Sequence, residues 1–227
     1  MTTGVTLALD GSTYAGSVAI IRDGAVIAER SLSDVPKPGR GGREELFLPM
    51  VAGCLDDAGL KARDLSRVVC GEGPGSFTSL RVAASIAKGI AVGTGIPLFA
   101  VSSLALIIAG RPAPPGLWLA ALPAMRGEMF VAPFVVMDDG RIVQSGEPSL
   151  LPDAALAGEA SKLGGPAVGP SIDAAWAPHA RGVVHLLLDA AAAGPCDLNT
   201  WEPTYGRLAE AQVRWEAAHG RRLTAAG

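Results

Sequence analysis

Over the first third of the chain, apolar positions come in short runs cut by turn-forming residues. Residues 5–9 (Val-Thr-Leu-Ala-Leu) make a β-rich run that stops at Asp10-Gly11-Ser12-Thr13. A second run at 17–21 leads to the turn Asp23-Gly24 and a third at 25–30, which predicts an antiparallel meander. After a loop at 36–42 the spacing changes to that of a helix over 44–58. Pro49 inside it predicts a lost backbone hydrogen bond and a kink. Residues 68–70 and 97–101 read as buried strands. Between them Gly73-Pro74-Gly75-Ser76 is a loop, and Thr78 or Ser79 can cap a helix running to about Gly93. Meander, helix, strand, helix, strand is an α/β order, and it closes near residue 105.

A second segment follows the Pro-rich stretch at 111–115. It predicts strands at 117–122, 129–137 and 141–144, the last two joined at Asp139-Gly140. Helices are expected at 153–163, 180–193 and 207–219. The domain reading is therefore a first unit at 1–105 and a second at 106–227, with the last helix packing back on the first.

Composition narrows the function. Hydrophobic residues make up 49% and charged residues 18%, against about 25% charged in ordinary domains, so the chain can bury a core and is not disordered. A net charge of −3 argues against a domain that grips nucleic acid alone. The most apolar stretch, 98–109, is broken by Ser102 and Ser103 and is too short to span a bilayer. No Lys or Arg precedes Arg22, so the charged start of a signal peptide is missing. Cys54, Cys70 and Cys196 have no C-x-x-C spacing, which fits reduced thiols and a cytoplasmic protein. His179, His185 and His219 offer no i, i+4 pair, so no metal site is expected. Without G-x-S-x-G or a Ser–base pair, no catalytic residue is assigned.

Two turns have nucleotide-binding chemistry. Gly71-Glu72-Gly73-Pro74-Gly75-Ser76 lies between a strand and a helix, where helix N–H groups can hold an anion. Ser76 stands where a dinucleotide fingerprint would need its third Gly. Asp10, Gly11, Ser12 and Thr13 offer hydroxyl and N–H donors and a carboxylate for a metal-bound water. Asp10, Gly11, Ser12, Thr13, Gly73, Gly75 and Ser76 are therefore the nucleotide candidates. Ordinary turn chemistry explains each of them equally well.

The helices suggest a docking surface. In 44–58, Leu48, Val51 and Leu55 form one stripe and Phe47, Met50 and Cys54 another. In 79–93, Val82, Ile86 and Ile90 form a ridge beside a face of small residues, Ala83, Ala84, Ala87 and Ala91. A helix apolar on two faces is buried or serves a partner. The partner-interface candidates are Phe47, Met50, Cys54, Val82, Ala83, Ile86, Ala87 and Ile90; the alternative is that the second unit covers this face.

Taken together, several segments resemble the TsaB (YeaZ) family of tRNA threonylcarbamoyladenosine biosynthesis subunits. They are Leu7-Ala8-Leu9-Asp10-Gly11-Ser12-Thr13, Gly73-Pro74-Gly75-Ser76-Phe77-Thr78-Ser79-Leu80-Arg81, Ala87-Lys88-Gly89-Ile90-Ala91, Val101-Ser102-Ser103-Leu104, Arg126-Gly127-Glu128 and Glu202-Pro203-Thr204-Tyr205-Gly206-Arg207. The resemblance implies a two-lobed actin/Hsc70/sugar-kinase-like fold, each lobe a ribonuclease-H-like mixed sheet with helices. It implies a non-catalytic partner of the paralogue TsaD, which transfers threonylcarbamoyl to the adenosine next to the anticodon of tRNA. Pairing would use the helices flanking the Gly-Pro-Gly loop, with TsaE, an ATPase, as a further component. tRNA would be met only through the complex, and a homodimer is the alternative for the free chain. No tightly bound cofactor is implied, ATP entering at the level of the complex. Asp10-Gly11 in place of Asp-Thr, Glu72 in place of a basic residue, Ser79 in place of Gly, Arg43 in place of a His, and Pro123 and Met125 in place of Asp and Arg depart from the family pattern. The competing functional readings are a stand-alone ATP-binding or ATP-hydrolysing enzyme of the same fold and a metalloprotease.

Overall fold

A computed structural model describes residues 3–35 and 46–206. Of the predicted features, the loop at 36–42, Arg43, the start of the 44–58 helix and the 207–219 helix lie outside the described residues.

The meander forms as its pattern predicts. β1 (Val5–Asp10), β2 (Ser17–Arg22) and β3 (Ala25–Ser31) are antiparallel neighbours, and β4 (Arg67–Gly71) and β5 (Leu98–Val101) extend the sheet in parallel. The order β3-β2-β1-β4-β5 is that of a ribonuclease-H-like sheet. The second sheet also has five strands. β6 (Gly116–Ala124) pairs with β7 (Glu128–Val136) and, in parallel, with β10 (Ala167–Val168). β8 (Ile142–Gln144) and β9 (Ser149–Pro152) share the outer edge of β7.

Strand alternation divides the core. Leu7, Leu9, Val18 and Ile20 point to one face of the first sheet, where α1 (Phe47–Asp57) and α2 (Phe77–Thr94) cover them. Ala8, Ala19, Ile21 and Val69 point to the other face, onto α3 (Ser103–Ala109) and α5 (Val183–Ala193). The far side of that layer is built from Ala120, Leu122, Phe130, Ala132 and Phe134 of the second sheet. Leu119, Ala121, Met129 and Val131 face outward under α4 (Leu156–Leu163). The layers thus run helices, sheet, helices, sheet, helix, and α3 and α5 join the two lobes. Residue 105 lies inside α3.

Three expectations change. The sequence gives no helical signal for α3 because all seven of its residues are buried, leaving no polar face to reveal the period. α2 starts earlier than expected, with Ser76 as its N-cap residue, because the loop already has helical backbone at Phe77. Ser79 is instead buried and accepts a hydrogen bond from Ser76 Oγ at 3.2 Å. Pro49 is the third residue of α1, in the first turn, where the N–H has no intrahelical acceptor, so its missing donor costs no bond there. Among the described residues no helix is long and apolar enough to cross a membrane.

Candidate functional site

The two candidate turns meet at the carboxyl ends of β1 and β4. Asp10 is fully buried. Its Oδ1 accepts from Ser12 Oγ at 2.6 Å and Ser12 N at 3.1 Å, and its Oδ2 accepts from Ser103 Oγ at 2.6 Å. Burial pushes the carboxyl above its ordinary pKa, and the Ser103 and Ser12 donors pull against that. Ser103 Oγ in turn accepts from Gly73 N at 3.0 Å, and Ser103 N donates to Gly73 O at 2.9 Å. Ser76 N closes the set on Ser12 O at 2.7 Å.

These contacts explain the glycines. Gly73 has φ 97°, and a Cβ on it would strike the Thr204 carbonyl. A Cβ on Gly75 would strike the Ser12 backbone. The Gly-Pro-Gly loop therefore acts as a clasp, holding β1, α3 and the chain near Thr204 together. Asp10 belongs to this clasp: its oxygens are turned inward and occupied, so it is not presented to a bound group. Ser103 is the residue that sequence reasoning missed. It was visible only as part of a motif.

Between the sheets the clasp borders a cleft of about 1150 Å3. Ser12, Thr13, Gly75 and Ser76 form one wall, and Leu122, Met125, Phe130, Leu150 and Pro170 the other. Thr13 also caps the local turn, its Oγ1 accepting from Ala15 N at 3.2 Å. Gly11 lies against the Ser79 carbonyl and Ala83 of α2, where no side chain would fit. The nucleotide candidates thus divide: Ser12, Thr13, Gly75 and Ser76 line the cleft, whereas Asp10 is enclosed and Gly11 and Gly73 serve close packing. Among the described residues no cluster of His, Cys, Asp and Glu could hold a metal ion.

A strap from Cys196 to Gly206 returns along the first lobe. Cys196 N donates to Leu98 O at 2.8 Å and Thr204 N to Glu72 O at 2.7 Å. Arg81 of α2 stacks 4.1 Å from the centre of the Phe77 ring and donates to Tyr205 Oη at 3.2 Å. Lys88 lies 5.7 Å from the Trp201 ring. Burial raises the Glu72 pKa; the nearby Trp201 indole N–H opposes the rise without completing a well-formed hydrogen bond.

The proposed interface residues need correction by burial. Phe47, Met50 and Cys54 lie in the core between α1 and the first sheet, as do Ala83 and Ala87 on α2. Their side chains cannot reach a partner. Burial pushes the Cys54 thiol up to about 11, which keeps it protonated. Small residues face the sheet because they let α2 approach it closely, and Val82, Ile86 and Ile90 flank that contact half-buried. The outward face carries Leu48 (58% exposed) and Ala52 of α1, and Ser85, Gly89, Val92 (68% exposed) and Gly93 of α2.

Comparison with known proteins agrees with this architecture. Residues 26–144, about half of the chain, match the family described as TsaD, tRNA N6-adenosine threonylcarbamoyltransferase. The tRNA threonylcarbamoyladenosine biosynthesis protein TsaB of Escherichia coli K12 is 35% identical over 136 residues, covering 59% of this chain and 56% of that one. The Bacillus subtilis 168 protein of the same name is 35% identical over 124 residues, covering 55% and 52%. The chain thus spans about half the length of the curated relatives it matches. The solved structure of YeaZ from Pseudomonas aeruginosa superposes with a TM-score of 0.71 at 27% identity, over 89% of this chain and 100% of that one. With the clasp, the two ribonuclease-H-like sheets and the matched segment in agreement, the chain belongs to the TsaD family, and within it is similar to proteins named TsaB and YeaZ.

Proposed function

We propose that this chain is a non-catalytic partner subunit for a TsaD-type transferase, in the reaction that places threonylcarbamoyl on the adenosine next to the anticodon of tRNA. The names and family of its relatives support the pathway. The pairing is a heterodimer with TsaD in the cytoplasm, with TsaE as a further component and tRNA reached through the complex. The chain holds no cofactor tightly, and ATP acts at the level of the complex.

The observation that carries the reading is the outer face of α1 and α2. Leu48 and Val92 stand exposed there, and a Cβ on Gly89 or Gly93 would meet nothing within 4 Å. Small residues between exposed apolar ones let a partner helix pack closely, because interaxial distance follows the side chains at the crossing. Asp10, sealed by Ser12 and Ser103, supports the non-catalytic part.

Co-expression with TsaD from the same cell tests the pairing. Gly89→Arg puts a long cation on the face while improving helix propensity by about 1 kcal/mol, so the chain should stay folded. Co-purification should be lost with Gly89→Arg and reduced with Leu48→Asp. If TsaD is retained by both variants, the assignment of this face is wrong.

A further inference from the structure

We propose that a pocket between α5 and the first sheet binds a small amphipathic anion, a carboxylate on a short saturated chain, tail first. The pocket holds about 250 Å3 and lies where β4 and β5 begin, at the end of the sheet opposite the clasp. It opens on the sheet face away from α1 and α2, so it shares no residue with the clasp, the cleft or the proposed pairing face. The space exists because α5 ends in Ala190-Ala191-Ala192-Ala193, and Ala190 and Ala191 are too short to fill it. Unfilled apolar space costs stability in proportion to its volume, and protein interiors hold few voids larger than a water molecule. An apolar cavity of about 150 Å3 takes up benzene, so this pocket has room for a chain of about six to eight carbons.

Polarity changes from floor to mouth. Val69, Leu187 and Ala190 form a buried floor, whereas Ser66, Pro97 and Ala191 stand exposed at the mouth. Arg67 is half-buried between them and is the one charged side chain among the described residues that line the pocket. It forms no ion pair with any described residue. Its Nη1 donates to Thr6 Oγ1 at 3.3 Å and its Nη2 to Thr3 O at 2.7 Å. Those bonds orient the guanidinium and leave the Nε–H and one N–H on each Nη for a ligand. Ser66 Oγ accepts from Val5 N at 3.2 Å, so its own hydrogen can donate. An apolar floor under an oriented guanidinium selects an apolar tail and a two-oxygen anionic head, which a carboxylate supplies.

The test titrates the methyl-labelled full chain with octanoate near neutral pH and follows the methyl resonances by NMR. Val69 and Leu187 should shift saturably, while Leu122 and Leu150 of the cleft stay in place. Octan-1-ol should bind at least roughly tenfold more weakly, because it lacks the charge-assisted bonds to Arg67. Arg67→Gln should weaken octanoate by a similar factor, and Arg67→Lys should retain most of the affinity. Ala190→Leu fills the floor and should abolish binding; Ala191→Leu, at an exposed position that leaves the fold intact, should narrow the mouth and weaken it. No saturable shift up to about 10 mM octanoate overturns the proposal. Equal affinity for octan-1-ol, or indifference to Arg67→Gln, overturns it as well, since the pocket would then be an apolar void without an anion site. Shifts at Leu122 and Leu150 without shifts at Val69 and Leu187 would move the ligand to the cleft and overturn it too. Pairing with TsaD is read on other elements, so neither result decides the other.

Discussion

Ser103 is the most informative residue to perturb, because its hydroxyl serves two buried groups at once. It donates to Asp10 Oδ2 at 2.6 Å and accepts from Gly73 N at 3.0 Å. Ser103→Ala leaves a buried carboxylate oxygen without its donor, which costs about 1.5–3 kcal/mol for a charge-assisted bond. It also orphans a buried N–H, at about 1–3 kcal/mol. Because the two losses share one site, about 3–5 kcal/mol is expected, a large fraction of the 5–15 kcal/mol that holds a typical domain together. Urea unfolding monitored by circular dichroism measures it, with a fall in Tm of about 10 °C at this chain length. The pH dependence identifies the cause. Asp10 has a raised pKa in the fold, so its contribution is fully present below the unfolded value near 3.8 and is lost as pH rises through the folded value. Removing Ser103 raises the folded pKa further, so the cost of the mutation should grow with rising pH through that range. It should shrink in an Asp10→Asn background. A loss under about 1 kcal/mol, or one that is the same at every pH and in both backgrounds, would refute the clasp as described.

Phe47→Ala should cost about 3–5 kcal/mol in urea unfolding, and Leu48→Ala next to it no more than about 0.5 kcal/mol, because Phe47 is 0% and Leu48 58% exposed. Gly73→Ala should destabilise the chain by more than about 1 kcal/mol, since it adds strain at φ 97° to a collision with Thr204. Limited proteolysis should then cut near 200–206 sooner than in wild type. His179 is held neutral, its pKa lowered to about 4 by burial and by Arg181. Its contribution is therefore present above the unfolded value near 6.5 and is lost as pH falls toward 4. A ring-proton titration by NMR should show a midpoint well below 6, and His179→Gln should flatten the stability profile between pH 6.5 and 4.

How much of this was legible depended on the range of the interaction. The meander and the hairpin at Asp139-Gly140 were readable because alternation and turn chemistry are local. The turn at 10–13 and the Gly-Pro-Gly loop could be picked out, but not what they do. Asp10 is 93 residues from the Ser103 hydroxyl that satisfies it, and no spacing rule connects them. The helix stripes show the same limit: by pattern Phe47, Met50 and Cys54 read as the partner stripe, yet they are buried, and Leu48 of the other stripe is exposed.

By itself, then, the sequence determined the α/β order, the antiparallel start of the first sheet and the family, since these rest on local period and on motif identity. Tertiary structure alone decided that α3 is a helix, sealed on every side between two sheets. It also decided which apolar stripe faces outward, because helix rotation is set by the sheet on which the helix packs. Finally, it enclosed a carboxylate with nucleotide-binding chemistry by setting the distant Ser103 hydroxyl beside the local Ser12 donors.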